Sequence, residues 1–182
     1  MGSDDWCTPP EVTEKLTEFF GGPVDVDPCS NASSIVHARK TYTSGGLLLP
    51  WGRTTYENPP YSATGTWTER AIAQLGSVVE ELIRLTMVST STTWWERQCT
   101  VPRRNPRLLF TRRLAFLDPG RFVTTSAGWS MHHERDPDSQ RRRDGARRNS
   151  AKFDTVLTYY GPRVRRFENC FSSLTRWKAW GR

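Results

Sequence analysis

Asn58-Pro59-Pro60-Tyr61, followed at once by Ser62, is the stretch of this sequence whose residue types and order could best do chemistry. Two consecutive prolines can neither continue a strand ladder nor enter a helix interior, so the chain must turn here with little freedom. The Asn58 side-chain carbonyl and the backbone carbonyl of Pro59 then become fixed acceptors, with the Tyr61 ring beside them. Such a set grips an amino group attached to a planar ring: the acceptors take its two hydrogens and the tyrosine stacks on the ring face. The plain alternative is a proline-rich surface turn with an incidental tyrosine.

Two further groups of residues invite a chemical reading. In Val24-Asp25-Val26-Asp27-Pro28-Cys29-Ser30, alternation predicts a short strand that Asp27-Pro28 ends. A carboxylate at the carboxyl end of the first strand of an α/β sheet lies where such sheets bind ligands, although Asp27 equally suits a turn. Asn31, Ser33 and Ser34 add small polar groups, and the absence of a Gly-x-Gly gives no support to a dinucleotide or phosphate cradle. Further on, Arg141-Arg142-Arg143-Asp144-Gly145-Ala146-Arg147-Arg148 places five arginines in eight residues, a candidate for phosphate contact or simply a solvated run. His132-His133 lack a metal-ligand context.

The elements that must position these groups follow from periodicity. Thr8-Pro9-Pro10-Glu11 has capping-box spacing with Pro9 at the first helical position, and Val12, Leu16, Phe19 and Phe20 continue a helical stripe up to Gly21-Gly22. Trp6 precedes the cap. Residues 35–53 are weakly patterned, with Leu47-Leu48-Leu49-Pro50-Trp51 expected as a short buried segment. Thr54–Glu57 is a β run leading to the prolines. Thr66-Trp67-Thr68-Glu69 repeats the capping-box spacing, and Trp67, Ala71, Leu75, Val78, Val79 and Leu82 predict one helix stripe. Ile83–Val88 reads as a strand and Thr92–Gln98 as a short helix. Leu108–Phe110 and Leu114–Phe116 read as β runs, and 118–150 as a long loop without periodicity. Phe153–Tyr160 is a strong strand whose expected hairpin partner across Gly161-Pro162 is Val164–Phe167. Strand, motif, helix, strand is the rhythm of a parallel α/β sheet.

Composition bounds the rest. A chain of 182 residues with 36% hydrophobic and 12% aromatic residues is expected to form one domain with a packed core. Lys+Arg exceed Asp+Glu by 26 to 19, a net charge of +7 that favours a polyanionic partner. Cys7, Cys29, Cys99 and Cys170 lack paired short spacing, so they read as reduced thiols and not as a metal site or disulfide frame. The polar, acidic amino terminus and the lack of a long apolar run lead us to expect a cytoplasmic protein without a membrane or metal partner.

Taken together, Trp6-Cys7-Thr8-Pro9-Pro10, Val26-Asp27-Pro28-Cys29, Gly46-Leu47 with Trp51, and Asn58-Pro59-Pro60-Tyr61-Ser62 with Trp67 resemble the phage-type DNA adenine-N6 methyltransferases, the Dam-related family. Thr92-Thr93-Trp94-Trp95 and Leu114-Ala115-Phe116-Leu117 are also similar. The resemblance implies a single domain of compact Rossmann-like class I methyltransferase fold, a mainly parallel sheet with a C-terminal β-hairpin. It also implies S-adenosylmethionine as methyl donor and adenine in double-stranded DNA as acceptor. Carried onto this chain, Asn58 and Pro59, with Pro60 fixing the turn, hold the adenine amino group, and Tyr61 stacks on the base. Asp27, with Pro28 and Cys29, falls where the family holds the methionine part of the cofactor, and Trp6, Thr8 and Pro9 match the element closing over it. Three features depart from the wider methyltransferase pattern: no Gly-rich turn follows Asp27, the 31 positions from Asp27 to Asn58 leave little room for a full strand–helix–strand, and Ser44-Gly45 stand where an acidic residue for the cofactor ribose is expected. Methylation of an RNA base or a protein glutamine, and DNA binding without catalysis, are the competing readings.

Overall fold

The computed structural model of the chain describes Asp4 and residues 6–100, 105–116, 122–125, 128–131 and 153–179. The arginine run at 141–148 and His132-His133 lie outside the described residues.

Helix α1 spans Pro10–Phe20 and ends where Gly21, at φ +78°, donates its N–H to the Thr17 carbonyl. Only glycine takes that left-handed turn without strain. The predicted capping box does not form. Pro9 is the cap residue and Pro10 the first helical one, while the Thr8 hydroxyl pairs with the Tyr56 hydroxyl at 2.8 Å.

The chain then lays down β1 (Val24–Asp27), β2 (Ala38–Thr41), β3 (Thr54–Glu57), β4 (Glu81–Met87), β5 (Arg107–Phe110), the pair β6 (Phe122–Thr125) and β7 (Gly128–Met131), and finally β8 (Thr155–Tyr160) and β9 (Thr175–Ala179). Seven of these form one sheet in the order β2-β1-β3-β4-β8-β5-β9, and β6 pairs with β7 in a separate ribbon. The ladders β2–β1, β1–β3 and β3–β4 are parallel, whereas β8 is antiparallel to both β4 and β5, and β9 to β5. Five of the seven strands thus run the same way, a mixed α/β sheet of mostly parallel direction.

Helix α2 (Thr64–Gln74) joins β3 to β4, α3 (Thr93–Thr100) follows β4, and α4 (Val164–Phe171) follows β8. The expected C-terminal hairpin is therefore corrected: its second arm is helical. Val164, Phe167, Glu168 and Phe171 recur at helical spacing, a period visible only when the window runs past Phe167. Alternation along β4 divides the core. Ile83 and Leu85 face α1 and α4, joined by Phe19, Tyr159, Phe167 and Phe171, whereas Leu82 packs with Trp51, Trp67, Ala71 and Tyr160 under α2.

Five other expectations change. The stretch 118–150, expected as a loop, contains the paired strands β6 and β7. Helix α2 begins at Thr64, without a side-chain cap, and stops at Gln74, so Leu82 belongs to β4 and not to the helix stripe. The Leu47–Trp51 segment is a turn in which Trp51 is buried and Leu47 packs beside it, while Leu48 is 87% exposed. Leu114–Phe116 forms no strand beyond a single bridge at Ala115, although Leu114 and Phe116 are buried. The weakly patterned stretch 35–53 contains β2, a sheet edge with three exposed side chains and hence no hydrophobic alternation to read.

Candidate active site

The strand order places the functional stretches. The chain passes from β1 outward to β2 and then returns to β3 on the other side of β1, so the connections diverge from the carboxyl ends of β1 and β3. Such a switch point opens a crevice for ligands in parallel sheets. Asp27 is the last residue of β1 and Glu57 the last of β3, with Asn58 next in the chain.

Trp6, Cys7, Thr8, Asp27, Cys29, Ser30, Asn31, Ser34 and Asn58 line one cavity at this crevice. Three stretches separated by twenty to fifty residues thereby meet, and the predicted site residues Trp6, Thr8, Asp27, Cys29 and Asn58 lie among them. Pro9 is buried as the cap of α1. Pro28 supplies a wall of another kind: a Cβ on Gly46 would fall on its carbonyl oxygen, so only glycine lets the 45–49 turn rest against the Asp27 turn. The Trp51 indole N–H donates to the Gly46 carbonyl at 2.8 Å and fixes that contact.

Asp27 is 3% exposed and its Oδ1 accepts the Cys29 N–H at 3.3 Å. Burial pushes its carboxyl up to about 7, against the hydrogen bonds from Cys29 and Ser30, and the nearby Glu57 raises it further. No cationic side chain forms an ion pair with it among the described residues. A buried carboxylate without a protein cation, opening on a crevice, fits a ligand that brings its own ammonium group. Burial also pushes the Cys29 thiol well above its ordinary range, which keeps it uncharged.

The amino-terminal arm crosses this crevice. The Asn58 amide Nδ2 donates to the Trp6 carbonyl at 3.4 Å, and both the Ser62 N–H and its hydroxyl donate to the Asp4 carboxylate. With the arm in place the cavity measures about 10 Å³, room for no more than one water.

Beyond Asn58 the turn is tightly held. The Pro60 carbonyl accepts the Ala63 N–H at 3.0 Å and the Thr64 hydroxyl at 3.3 Å, and the Tyr61 carbonyl accepts the same hydroxyl at 3.1 Å. Among the described residues no hydrogen bond reaches the Pro59 carbonyl, and Pro59 itself is buried. Tyr61 opens a 3₁₀ turn, Tyr61–Ala63, and its ring meets Phe153 edge-on at 4.6 Å and Phe116 at 6.1 Å. Its hydroxyl is buried without a hydrogen-bond partner among the described residues, and burial raises its pKa far above the ordinary phenol value. Burial keeps that phenol protonated.

The model of the family DNA N-6-adenine-methyltransferase (Dam) matches residues 2–130. The chain belongs to the Dam family. The match spans the arm, both switch-point strands, the Asn58–Tyr61 turn and α3, so the family-bearing region and the crevice coincide. A search of curated proteins finds no match to the chain. No helix among the described residues is long and apolar enough to cross a membrane.

The sequence reading passed over the polar interior of this Dam-family chain. Glu57, Thr68, Arg84 and Gln98 are all 0% exposed. The signal was present: Arg84 sits in the middle of Leu82-Ile83-Arg84-Leu85, and a charge inside a central-strand run needs a buried partner.

Proposed function

We propose that the protein is an S-adenosylmethionine-dependent, site-specific DNA adenine-N6 methyltransferase whose reaction takes place at the Asn58–Tyr61 turn. The observation that carries this reading is the meeting of a buried, cation-free Asp27 with Asn58 in one crevice at the sheet's switch point, in a chain of the Dam family. Asp27 would hold the ammonium group of the cofactor, with the Cys29 turn and the Trp6–Thr8 arm around it. S-adenosylmethionine, when bound, supplies an electrophilic methyl on a sulfonium.

The protein's own part is positioning. An exocyclic amine is a poor nucleophile because its lone pair is delocalised into the ring. The Asn58 side-chain oxygen and the Pro59 carbonyl accept its two hydrogens from outside the ring plane. They draw the lone pair out of conjugation and hold the nitrogen toward the methyl. The new N–C bond would form as the methyl's C–S bond breaks, its electron pair staying with the departing thioether, and the nitrogen would release one proton to solvent. A base within a duplex cannot reach such a turn, so it must be flipped out at a cost of a few kcal/mol. Stacking on Tyr61 would return about 1–3 kcal/mol of that. Arg141, Arg142, Arg143, Arg147 and Arg148 are proposed to contact DNA phosphates, on charge alone.

The test is methyl transfer from labelled cofactor offered to duplex DNA, RNA and protein in parallel. Label is expected in DNA, as N6-methyladenine. Transfer to RNA or protein alone, or to none of the three, would overturn the reading.

A further inference from the structure

The Asn58–Tyr61 turn is gripped from both ends by one buried polar network. Upstream of Asn58, the Glu57 carboxylate accepts from Arg84 through Nη2 at 2.8 Å and Nε at 3.2 Å, across the β3–β4 ladder where the two residues are register partners. The same Arg84 Nη2 donates to the Thr68 hydroxyl at 3.1 Å. Thr68 in turn donates to the Thr64 carbonyl at 2.8 Å, and the Thr64 hydroxyl reaches the Pro60 and Tyr61 carbonyls. On its other side Arg84 Nη1 donates to Gln98 Oε1 at 2.9 Å, and the Gln98 amide donates to Thr86 and Thr158. The Gln98 carbonyl accepts from Asn105 and from the Tyr160 hydroxyl, so α3 and β8 are tied into the same web.

This is an expensive interior. Arg84 and Glu57 lie at 1% and 0% side-chain exposure, and Glu57 Oε2 has no hydrogen-bond partner among the described residues. Apolar side chains of the same volume commonly give equal or greater stability than a buried ion pair. What apolar packing does not give is a set of directed bonds fixing the two ends of a four-residue turn. The Tyr61 ring also packs against Phe153 and Phe116, whereas the Asn58 amide meets only a carbonyl of the arm, at 3.4 Å.

We infer that Arg84, Thr68 and Thr64 are positioning residues for methyl transfer, holding the Asn58 acceptor and the Tyr61 ring in register. The inference rests on the reading given under Proposed function. A displacement of about 1 Å at reacting groups costs on the order of 100-fold in rate, so a partial loosening is expected to cost about tenfold or more in kcat.

Thr68→Val keeps the shape of the side chain and removes the hydroxyl that joins Arg84 to Thr64; Thr68→Ser keeps the hydroxyl. In Thr68→Val, kcat for duplex DNA is expected to fall about tenfold with KM for DNA and cofactor affinity within about twofold, the signature of an interaction needed only in the transition state. Thr68→Ser is expected to restore kcat to within about twofold of wild type. Amide exchange at Ala63, whose N–H closes the turn onto Pro60, is expected to speed up in Thr68→Val. Thr64→Val, one link further along, carries the same expectations and replaces Thr68→Val if that variant does not fold. A folded variant with lowered thermal stability but wild-type kcat and unchanged Ala63 exchange would overturn the inference and leave the methyltransferase reading standing. Absence of methyl transfer by the wild-type protein would overturn both.

Discussion

Replacing Asp27 by asparagine should make the protein more stable at neutral and alkaline pH while abolishing tight cofactor binding. The carboxyl is 3% exposed, and burial pushes its pKa up to about 7 from an ordinary 3.8. The folded protein therefore holds a proton that the unfolded chain releases, and the contribution of Asp27 to stability is full below pH 3.8 and is lost as pH rises to about 7. That displacement corresponds to about 4 kcal/mol at 1.36 kcal/mol per unit, of which about 3 kcal/mol falls between pH 5 and 7. Asparagine keeps an oxygen for the Cys29 N–H and carries no charge to desolvate. Denaturant unfolding of both proteins at pH 5 and pH 8 measures the difference, and the stability gap in favour of Asp27→Asn should widen by about 3 kcal/mol between them. Wild-type affinity for S-adenosylmethionine should climb over pH 5–7, toward tenfold per unit, because the ionised carboxylate receives the ammonium group. In Asp27→Asn it should be weak and flat with pH. A stability gap that does not change with pH would refute the burial argument, and equal cofactor affinity in the two proteins would remove Asp27 from the site.

Two more outcomes follow from the same geometry. Tyr61→Phe should keep most activity and raise the melting temperature, because a buried unpartnered hydroxyl costs about 1–3 kcal/mol, whereas Tyr61→Ala should lose activity through weaker binding of the extruded base; equal damage from the two would mean that the phenol itself takes part. Ser62→Ala removes one of the two bonds that hold Asp4 over the crevice, so stopped-flow tryptophan fluorescence should show cofactor association accelerated severalfold, and an unchanged rate would show that the arm does not limit entry.

How much of this was legible in the residues varies with the kind of signal. Asp27 and Asn58 announced themselves because proline follows each and ends a strand, and the fold does bring both to one cavity. Strand β4 and helix α1 carried strong periodic patterns. Strand β2 did not, because an edge strand with exposed Arg39, Lys40 and Thr41 has no buried face to imprint alternation. Val164–Phe167 reads as a strand because those four residues alone lack a second turn of apolar spacing; Phe171 completes the helical stripe. Thr8 mimicked a helix cap while its hydroxyl was committed to Tyr56, a partner 48 residues away that no local rule can supply. The buried network was hidden for the same reason. Only Arg84 hinted at it, and its partners lie on β3, α2 and α3.

The central claim is that the Asn58 side chain holds the amino group that receives the methyl. Asn58→Ala, checked for folding by its thermal melt and for cofactor binding by tryptophan fluorescence, should transfer no measurable methyl to duplex DNA while binding S-adenosylmethionine within a few-fold of wild type, since the acceptor is needed chiefly in the transition state. Wild-type rates of N6-methyladenine formation from a folded Asn58→Ala protein would contradict the account.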